Sequence, residues 1–189
     1  MEKRYEMRFA GSGGQGIILA SVILAEAAVL SNINAVQSQS YGPEARGGMC
    51  RAELVISKNS IWFSKVTCPN FLLAMTQKSL DQYSKTLAEE ALVIADASLT
   101  VPETLSGRKV LSLPILRAAT ERVGKGMTAN IVAIGAINKA LRLFDEEILF
   151  EAVRRHIPKG TEALNEKALR VGEALVSEEI AARFSVRIA

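Results

Sequence analysis

The feature that most constrains the fold is a glycine-rich hexapeptide near the amino terminus: Gly11, Ser12, Gly13, Gly14, Gln15 and Gly16. It follows the short alternating run Arg4 to Ala10 and opens the apolar run Ile17 to Leu30. Alternation is typical of a strand, and a long apolar run opening after glycine is typical of a helix. The hexapeptide is therefore predicted to be the loop between a strand and a helix, and its glycines match G-x-G-x-x-G in the context that this motif requires.

Two interpretations of the loop remain open. In the first, Gly11 forms a tight turn, Gly13 leaves the backbone bare for an approaching anion, and Gly16 allows close contact between helix and strand. The helix amides and dipole would then favour a negative group, most naturally a phosphate. In the second, the glycines serve only the backbone geometry of a turn, with no ligand.

The dinucleotide version of the motif is disfavoured. It requires an acidic residue about 20 residues further on, at the end of the second strand, to bind a ribose hydroxyl. The second strand is predicted at about Asn34 to Gln39, and it is followed by no acid before Glu44. We therefore do not expect an NAD site.

A second loop follows that strand, with the composition of a turn-rich connection. Its residues are Tyr41, Gly42, Pro43, Glu44, Ala45, Arg46, Gly47 and Gly48. In a doubly wound sheet this loop would lie beside the glycine-rich loop, where open α/β sheets bind ligands. Arg46 either uses its bidentate fork to bind phosphate or carboxylate, or forms an internal ion pair with Glu44 or a neighbouring carboxylate. Tyr41 packs on a flat ligand or simply fills the loop.

The remaining pattern predicts an α/β protein: a Rossmann-like three-layer fold with a mostly parallel sheet, an inserted β-hairpin and C-terminal helices. The length of 189 residues and the apolar content of 49% fit one domain over residues 1–189. The hairpin is predicted from Cys50–Ser57 and Ser60–Val66, which place Trp62 and Phe63 on opposite faces. One of these two aromatic side chains would meet a partner surface or remain an ordinary exposed residue.

Two predicted helices are unusually apolar. The first, Gly16 to Ser31, has Glu26 as nearly its only charge, so we expect burial on both sides, by another subunit or by loops of the chain itself. The second, Ile131 to Leu143, has Gly135 in its interior, which predicts close contact with another element. Asn130 either belongs to the N-terminal turn of this helix, the favoured interpretation because Asn is common at helix starts, or points into the central cleft.

Several functional classes are disfavoured by composition. The net charge of +3 is small and the basic residues are dispersed, which argues against nucleic acid as the main partner. Cys50 and Cys68 form no metal-ligand pattern, and their number fits a reduced, cytoplasmic chain. The longest apolar run is too short to cross a bilayer.

Catalytic machinery is missing from the pattern. His156 is the only histidine, at the predicted end of a helix, where it serves poorly as a general base. Asp96, at the end of a strand, is a site candidate that more often fixes the following turn. No catalytic residue and no metal ligand is assigned, and the sequence predicts a phosphate-binding cleft without catalytic groups of its own.

The two loops together, Gly11 to Ile17 and Gln39 to Gly48, resemble those of the gamma subunit of 2-oxoacid:ferredoxin oxidoreductases. The resemblance extends over essentially the whole chain, including the strand at Val93 to Asp96 and the turn at Pro158 to Thr161. The amino-acid sequence from Ser40 to Gly48 looks most like that of the 2-oxoglutarate branch of this family. Such a subunit belongs to an enzyme that oxidatively decarboxylates a 2-oxoacid to an acyl-CoA and reduces ferredoxin or a similar acceptor.

The resemblance implies a division of labour between subunits. Thiamine diphosphate, Mg and the substrate would lie in the alpha and beta subunits, and iron–sulfur clusters in other partners such as a ferredoxin-like delta subunit. This chain would be an accessory subunit, inactive alone and able to form a homodimer when isolated. It would help to bind coenzyme A and to assemble the complex.

The coenzyme A contacts implied by the motif positions are Gly11, Ser12, Gly13, Gly14, Gln15, Gly16, Tyr41, Gly42, Arg46, Gly47 and Gly48. Two other functions stay open at this point. One is a free-standing NAD(P)-dependent dehydrogenase, and the other is a purely architectural subunit whose loops contact only protein.

Overall fold

The computed structural model describes residues 4–40 and 49–186. Within these ranges the chain forms one six-stranded mixed sheet in the order β2-β3-β1-β4-β5-β6. The strands are β1 (Tyr5–Ser12), β2 (Asn34–Ser40), β3 (Met49–Ser57), β4 (Phe71–Ala74), β5 (Leu92–Asp96) and β6 (Lys109–Leu113). The α-helices are α1 (Ile17–Leu30), α2 (Gln77–Tyr83), α3 (Ile115–Ala118), α4 (Ala129–Leu141), α5 (Glu146–His156), α6 (Glu162–Glu173) and α7 (Glu178–Phe184).

The sheet has a parallel half and an antiparallel half. Strands β1, β4, β5 and β6 run parallel, while β3 pairs antiparallel with both β1 and β2. Strand β2 therefore points the same way as β1 without being its neighbour. The predicted mostly parallel α/β fold is confirmed, with a mixed sheet as its exact form.

The predicted position of the β-hairpin is wrong. Strand β3 exists, but residues 60–66 form no strand, and β3 pairs on one edge with β2 and on the other with β1. The backbone of that segment is bound instead by side chains at the start of the sheet. Arg4 donates to the carbonyl oxygens of Phe63 and Lys65, and Arg8 donates to that of Val66. These carbonyl groups are thus satisfied outside a strand ladder.

Layers of apolar side chains cover both faces of the sheet, as expected for three layers. On β4, Phe71 and Leu73 belong to the core shared with α1 and α4, whereas Leu72 and Ala74 belong to the core shared with α2. This alternation follows from the period of two in a strand. The C-terminal helices lie on the α1 side, where α4 packs most extensively against α6.

Helix α1 is buried on one side only by the described residues of the chain, so cover of its second side by another subunit stays a prediction. One side of α1 packs in the core through residues such as Ile23 and Leu24. The opposite stripe stays partly exposed at Ile18, Val22 and Ala25, and Val29 is exposed. Part of this partly exposed apolar side lines the cavity described below.

Candidate functional site

The glycine-rich loop makes its turn later than the motif predicted. Gly14 and Gly16 have φ of 90° and 70°, in the left-handed region that glycine adopts readily. Gly11, by contrast, lies within β1 opposite Cys50 of β3. The predicted tight turn at Gly11 is therefore wrong, and the turn is made at Gly14 and Gly16.

Gly11 and Gly16 are nevertheless close-approach positions. A methyl group at Gly11 would lie 2.4 Å from Oε1 of Gln15. A methyl group at Gly16 would lie 2.5 Å from Nδ2 of Asn130, at the start of α4. The expected close contact at Gly16 therefore exists, but it joins the loop to another helix rather than α1 to a strand.

The side chain of Gln15 closes the loop from within. Its Oε1 accepts a hydrogen bond of 2.8 Å from the backbone N–H of Ser12. Its Nε2 donates to the carbonyl oxygen of Met75, just beyond β4, at 3.3 Å. Gln15 thus fixes the loop to the carboxyl edge of the sheet, and its amide is already engaged in the free protein.

The amino terminus of α1 is open to an anion. Gly16 occupies the N-cap position with no side-chain hydrogen bond, and the first turn has no acidic residue. The first amides of a helix have no acceptor within it, and the helix dipole makes this end electropositive. Backbone N–H groups at Ile17, Ile18 and Leu19 are therefore suited to bind a phosphate.

A cavity of about 540 Å³ opens beside this helix start. Its size is within the range of about 300–1,000 Å³ typical of small-molecule sites. One wall is the glycine-rich loop, and the other is the partly exposed apolar side of α1 with the ends of β2 and β3. The lining residues are Ser12, Gly13, Gly14, Gly16, Ile17, Ile18, Leu19, Val22, Ser40, Met49 and Cys50.

The sequence pattern missed the apolar wall of this cavity. The pattern places Ile18, Leu19 and Val22 in a buried helix and Cys50 in a strand. It gives Met49 no role, so none of these residues is a site candidate. The sequence does contain a signal for an apolar wall. The helix that follows the glycines has no polar face, so whichever of its sides borders the loop is apolar.

The second predicted loop lies outside the described residues. This applies to Tyr41, Gly42, Arg46, Gly47 and Gly48. The residues on either side, Ser40 at the end of β2 and Met49 at the start of β3, both line the cavity. Both attachment points of the loop are therefore beside the glycine-rich loop, although nothing in the structure tests its ligand contacts.

Cys50 is a cysteine at the candidate site, and a cysteine side chain can act as a nucleophile. It lines the cavity, and burial raises the pKa of its thiol. A raised pKa keeps the thiol protonated at neutral pH, whereas the thiolate is the nucleophilic form. The raised pKa therefore makes Cys50 a weaker nucleophile than a free cysteine.

The order of strands in the sheet argues against the alternative of an NAD(P)-binding site. In that fold the second strand lies next to the first, so its terminal acid reaches the ribose beside the glycine loop. Here β3 lies between β1 and β2, and no Asp or Glu is among the described residues that line the cavity. Glu53 of β3 is turned into an ion pair with Arg8, at 2.7 Å. These features disfavour a ribose-binding carboxylate.

Three other polar candidates have definite positions. Asp96 accepts hydrogen bonds from the backbone N–H groups of Ser98 and Leu116, at 3.0 and 2.8 Å, so it fixes the turn after β5. His156 lies in the last turn of α5, as predicted. Asn130 is buried in the first turn of α4, which begins at Ala129, as the favoured interpretation predicted.

Metal and membrane features were searched within residues 4–40 and 49–186. This part of the chain has no group of three or more His, Cys, Asp or Glu side chains placed to hold a metal ion. None of its helices is long and apolar enough to cross a membrane.

Residues 6–175 match the family described as pyruvate ferredoxin/flavodoxin oxidoreductase. The chain belongs to this family. It is similar to the 2-oxoglutarate synthase subunit KorC of Methanothermobacter thermautotrophicus, with 41% identity over 94% of this chain and 98% of the relative. The resemblance to a gamma subunit, and to the 2-oxoglutarate branch in particular, is confirmed by these matches.

Solved structures agree with the fold. The gamma subunit of a keto/oxoacid ferredoxin oxidoreductase from Geobacter sulfurreducens is 39% identical, with a TM-score of 0.79 over 95% of this chain and 99% of that one. A 2-oxoglutarate:ferredoxin oxidoreductase from Magnetococcus marinus, with 2-oxoglutarate, coenzyme A and succinyl-CoA bound, shares the fold at 20% identity and a TM-score of 0.85. That match covers 94% of this chain but 32% of the longer one.

Proposed function

We propose that this chain is the gamma subunit of an oxidoreductase that decarboxylates a 2-oxoacid, 2-oxoglutarate in the first instance, and transfers the acyl group to coenzyme A. The carrying observation is the open amino terminus of α1, which faces a cavity bordered by the glycine-rich loop. The similarity to 2-oxoglutarate synthase subunits supports the substrate.

Coenzyme A is proposed to bind through its phosphates. The backbone at Ser12, Gly13 and Gly14 lines the cavity, and the free amides at the start of α1 supply the donors. We assign Arg46 a bidentate contact with a phosphate, with Tyr41, Gly42, Gly47 and Gly48 shaping the same loop.

The apolar wall formed by Ile18, Leu19 and Val22 suits the uncharged arm of coenzyme A. Gln15 is proposed to hold the loop in shape rather than to bind coenzyme A, because its side-chain amide is hydrogen-bonded to Ser12 and Met75. The role proposed for this chain is to bind and orient the acyl acceptor.

Bond-making is proposed to occur on partner subunits. Thiamine diphosphate with Mg, and the iron–sulfur clusters, would supply the carbanion chemistry and the electron transfer there. On this chain, burial raises the pKa of the Cys50 thiol, which favours the less nucleophilic protonated form. A cytoplasmic complex of alpha, beta, gamma and delta subunits, a single domain over residues 1–189, and a homodimer of the isolated chain remain predictions.

A second role, in assembly, is proposed for the loop that includes Trp62 and Phe63. These side chains are 95% and 58% exposed. The loop is nevertheless held in place, because Arg4 donates to Phe63 and Lys65 and the backbone N–H of Thr67 donates to Glu6. A fixed loop that exposes a tryptophan is typical of an interface anchor.

The partner proposed to contact Trp62 is a separate polypeptide. It corresponds to the remainder of those relatives in which this fold is one part of a longer chain. In the Magnetococcus marinus protein, this fold is about a third of a longer chain. Polypeptides that are fused in one protein and separate in another need a non-covalent interface in the second case. Arg4 precedes β1 and the glycine-rich loop follows it, so the Trp62 loop and the cavity lie at opposite ends of that strand.

The test is a calorimetric titration of the reconstituted complex with coenzyme A, comparing the wild type with Arg46→Ala. Removing a hydrogen-bonded charge from a phosphate should weaken binding by at least about tenfold. Arg122→Ala, a substitution of an exposed arginine that does not line the cavity, is the control. Unchanged affinity in Arg46→Ala would favour the purely architectural role, and micromolar binding of NAD(P) by the purified chain would favour the dehydrogenase.

A further inference from the structure

A second cavity, of about 340 Å³, opens at the edge of the sheet opposite the glycine-rich loop. It borders the first residues of three parallel strands, Tyr5 of β1, Leu92 of β5 and Lys109 of β6. The glycine-rich loop lies at the other end of β1, so the second cavity is separate from the coenzyme A site proposed above. Its volume falls within the range of about 300–1,000 Å³ typical of ligand sites.

The apolar part of the second cavity is held in place by backbone hydrogen bonds. Leu92, Leu141 and Phe184 line it and pack in the core around α4. The N–H of Val186 donates to the carbonyl oxygen of Leu141 at 2.8 Å, and the N–H of Leu92 donates to that of Asn70 at 3.0 Å. Because these walls are already fixed, an occupant pays little for ordering them.

The charged part of the lining is mainly basic. Three cations, Arg4, Lys109 and Arg183, stand against one carboxylate, Glu90. Lys109 pairs with Glu90 at 2.5 Å, and Arg4 pairs with Glu6 at 2.8 Å. Arg183 is exposed and has neither an ion pair nor a hydrogen bond with any residue of the ranges 4–40 and 49–186. A guanidinium at the border of an apolar cavity is well suited to bind a carboxylate.

Uncharged donors in the lining also favour an anion. Asn70 uses its Oδ1 to accept from the N–H of Glu6 at 2.9 Å, so its amide presents Nδ2, a donor, to further partners. Burial raises the pKa of Tyr5, which keeps its hydroxyl protonated and able to donate. The lining therefore offers more donors than acceptors.

Arg4 connects the second cavity to the exposed loop of Trp62 and Phe63. It lines the cavity, donates to the carbonyl oxygens of Phe63 and Lys65, and lies 5.8 Å from the centroid of the Phe63 ring. Arg4 and Val186, the first and last residues that the structure describes, both line the cavity. Polypeptide added to this fold at either end, as in a longer relative, is therefore attached at the same surface.

We propose that the second cavity docks an acidic side chain of the separate polypeptide that is proposed above to contact Trp62. Its carboxylate binds Arg183, and its aliphatic part packs on Leu141 and Phe184. The inference rests on the proposed assembly role for the identity of this polypeptide. A charge pair across an interface sets orientation and register more than affinity, so the cavity orients the subunit that Trp62 anchors.

The experiment measures binding of the separate polypeptide to the full chain by sedimentation velocity, for the wild type, Arg183→Glu and Arg183→Gln. The matched controls are Arg122→Glu and Arg122→Gln. Arg122 is likewise an exposed arginine in the last turn of a helical segment, and it does not line the second cavity. The paired variants change the net charge equally, so long-range electrostatic steering changes by a similar amount in both.

We expect Arg183→Glu to bind about 30-fold more weakly than Arg122→Glu at low ionic strength, and Arg183→Gln to bind about fivefold more weakly than Arg122→Gln. The difference should shrink in about 1 M salt, where the Debye length is about 3 Å. The melting temperature of Arg183→Gln should stay within about 2 °C of the wild type, because the side chain is exposed. Equal binding by each Arg183 variant and its control would overturn the inference.

The outcomes separate this inference from the proposed assembly role. If Trp62→Ala weakens binding while the Arg183 variants match their controls, the second cavity lies outside the interface and the role of Trp62 stands. If only the Arg183 variants weaken binding, the cavity docks the subunit and the role of Trp62 fails. Micromolar binding of free succinate by the chain alone, lost in Arg183→Gln with assembly unchanged, would overturn the inference in favour of a small carboxylate. No binding of the separate polypeptide by the wild type would overturn both.

Discussion

Gly135 of α4 lies against the carbonyl oxygen of Leu169 in α6, so closely that a methyl group at Gly135 would come within 2.2 Å of that oxygen. The contact is reciprocal, since a methyl group at Gly172 of α6 would lie 2.0 Å from the carbonyl oxygen of Val132 in α4. The two helices therefore touch backbone to backbone. This crossing fixes α4, whose first turn borders the candidate site.

Gly135→Ala is expected to lower the free energy of unfolding by about 3 kcal/mol, because the added methyl group forces two backbones apart. The higher helix propensity of alanine, about 1 kcal/mol, offsets only part of this. Chemical denaturation of the purified chain measures the change. The control is Gly126→Ala, whose methyl group would meet nothing closer than Thr120 at 3.5 Å. Equal stability of the two variants would show that the helices separate without cost.

The ion pair between Arg8 and Glu53 connects β1 and β3 inside the protein. The side chains are 6% and 11% exposed, and Nη2 of Arg8 lies 2.7 Å from Oε1 of Glu53. Glu53→Ala should cost about 3–5 kcal/mol, because it leaves a buried guanidinium unpaired.

The double variant Arg8→Met/Glu53→Leu should be more stable than Glu53→Ala, since it removes the charge as well as its partner. Urea denaturation of both variants tests this. A double variant that is less stable than Glu53→Ala would mean that the other contacts of Arg8, with Thr86 and Val66, matter more than its charge.

Trp62→Ala is expected to affect assembly and little else. With 95% of the side chain exposed, its removal should leave the melting temperature of the chain within about 2 °C of the wild type. Loss of an interface anchor should weaken binding of the partner subunit about 30-fold, corresponding to 2 kcal/mol.

Met127→Ala, which removes an apolar side chain that is 82% exposed elsewhere, serves as the matched control for the assembly measurement. Sedimentation velocity with the counterpart subunit compares the three proteins. Undiminished assembly of Trp62→Ala would exclude this loop from the interface. When the counterpart subunit is present at a saturating concentration, the complex that contains Trp62→Ala should bind coenzyme A with the affinity of the wild-type complex.

Two carboxyl groups give opposite pH dependences. Burial, with a smaller effect of Glu146, raises the pKa of Glu173, so the folded state binds this proton more tightly than the unfolded chain. Stability from that proton is present below the ordinary carboxyl pKa and is lost as the pH rises through the raised value. Glu173→Gln should therefore melt higher than the wild type at pH 7, with the advantage vanishing below about pH 4.

Glu178 provides the comparison. Its hydrogen bond from Lys139 lowers the pKa of Glu178, so its stabilisation is present above the ordinary carboxyl pKa and is lost as the pH falls through the lowered value. Glu178→Gln should melt lower than the wild type at pH 7. Melting curves from pH 3 to pH 8 measure both variants, and a pH-independent difference for either would contradict its assignment.

The sequence predicted local structure better than long-range pairing. The glycine-rich loop between β1 and α1 and the close contact at Gly135 followed from local composition and periodicity. The hairpin at residues 60–66 failed, because alternation there cannot show that Arg4 and Arg8, more than 50 residues earlier, bind the backbone instead.

The candidate site shows the same division. The motif identified the loop, but it could not show that Gly16 lies against Asn130 of α4, because that contact is set by tertiary packing. The apolar cavity wall was likewise concealed within a helix that the pattern assigned to the core.

The most direct measurement is hydrogen–deuterium exchange of the reconstituted complex with and without coenzyme A. The amides of Ile17, Ile18 and Leu19 have no acceptor within α1, so they should exchange rapidly in the free complex. We predict that coenzyme A slows exchange in the peptide 11–19, and in 41–48, while α6 is unchanged. Identical exchange of the peptide 11–19 in both states, at saturating coenzyme A, would contradict the proposed phosphate site.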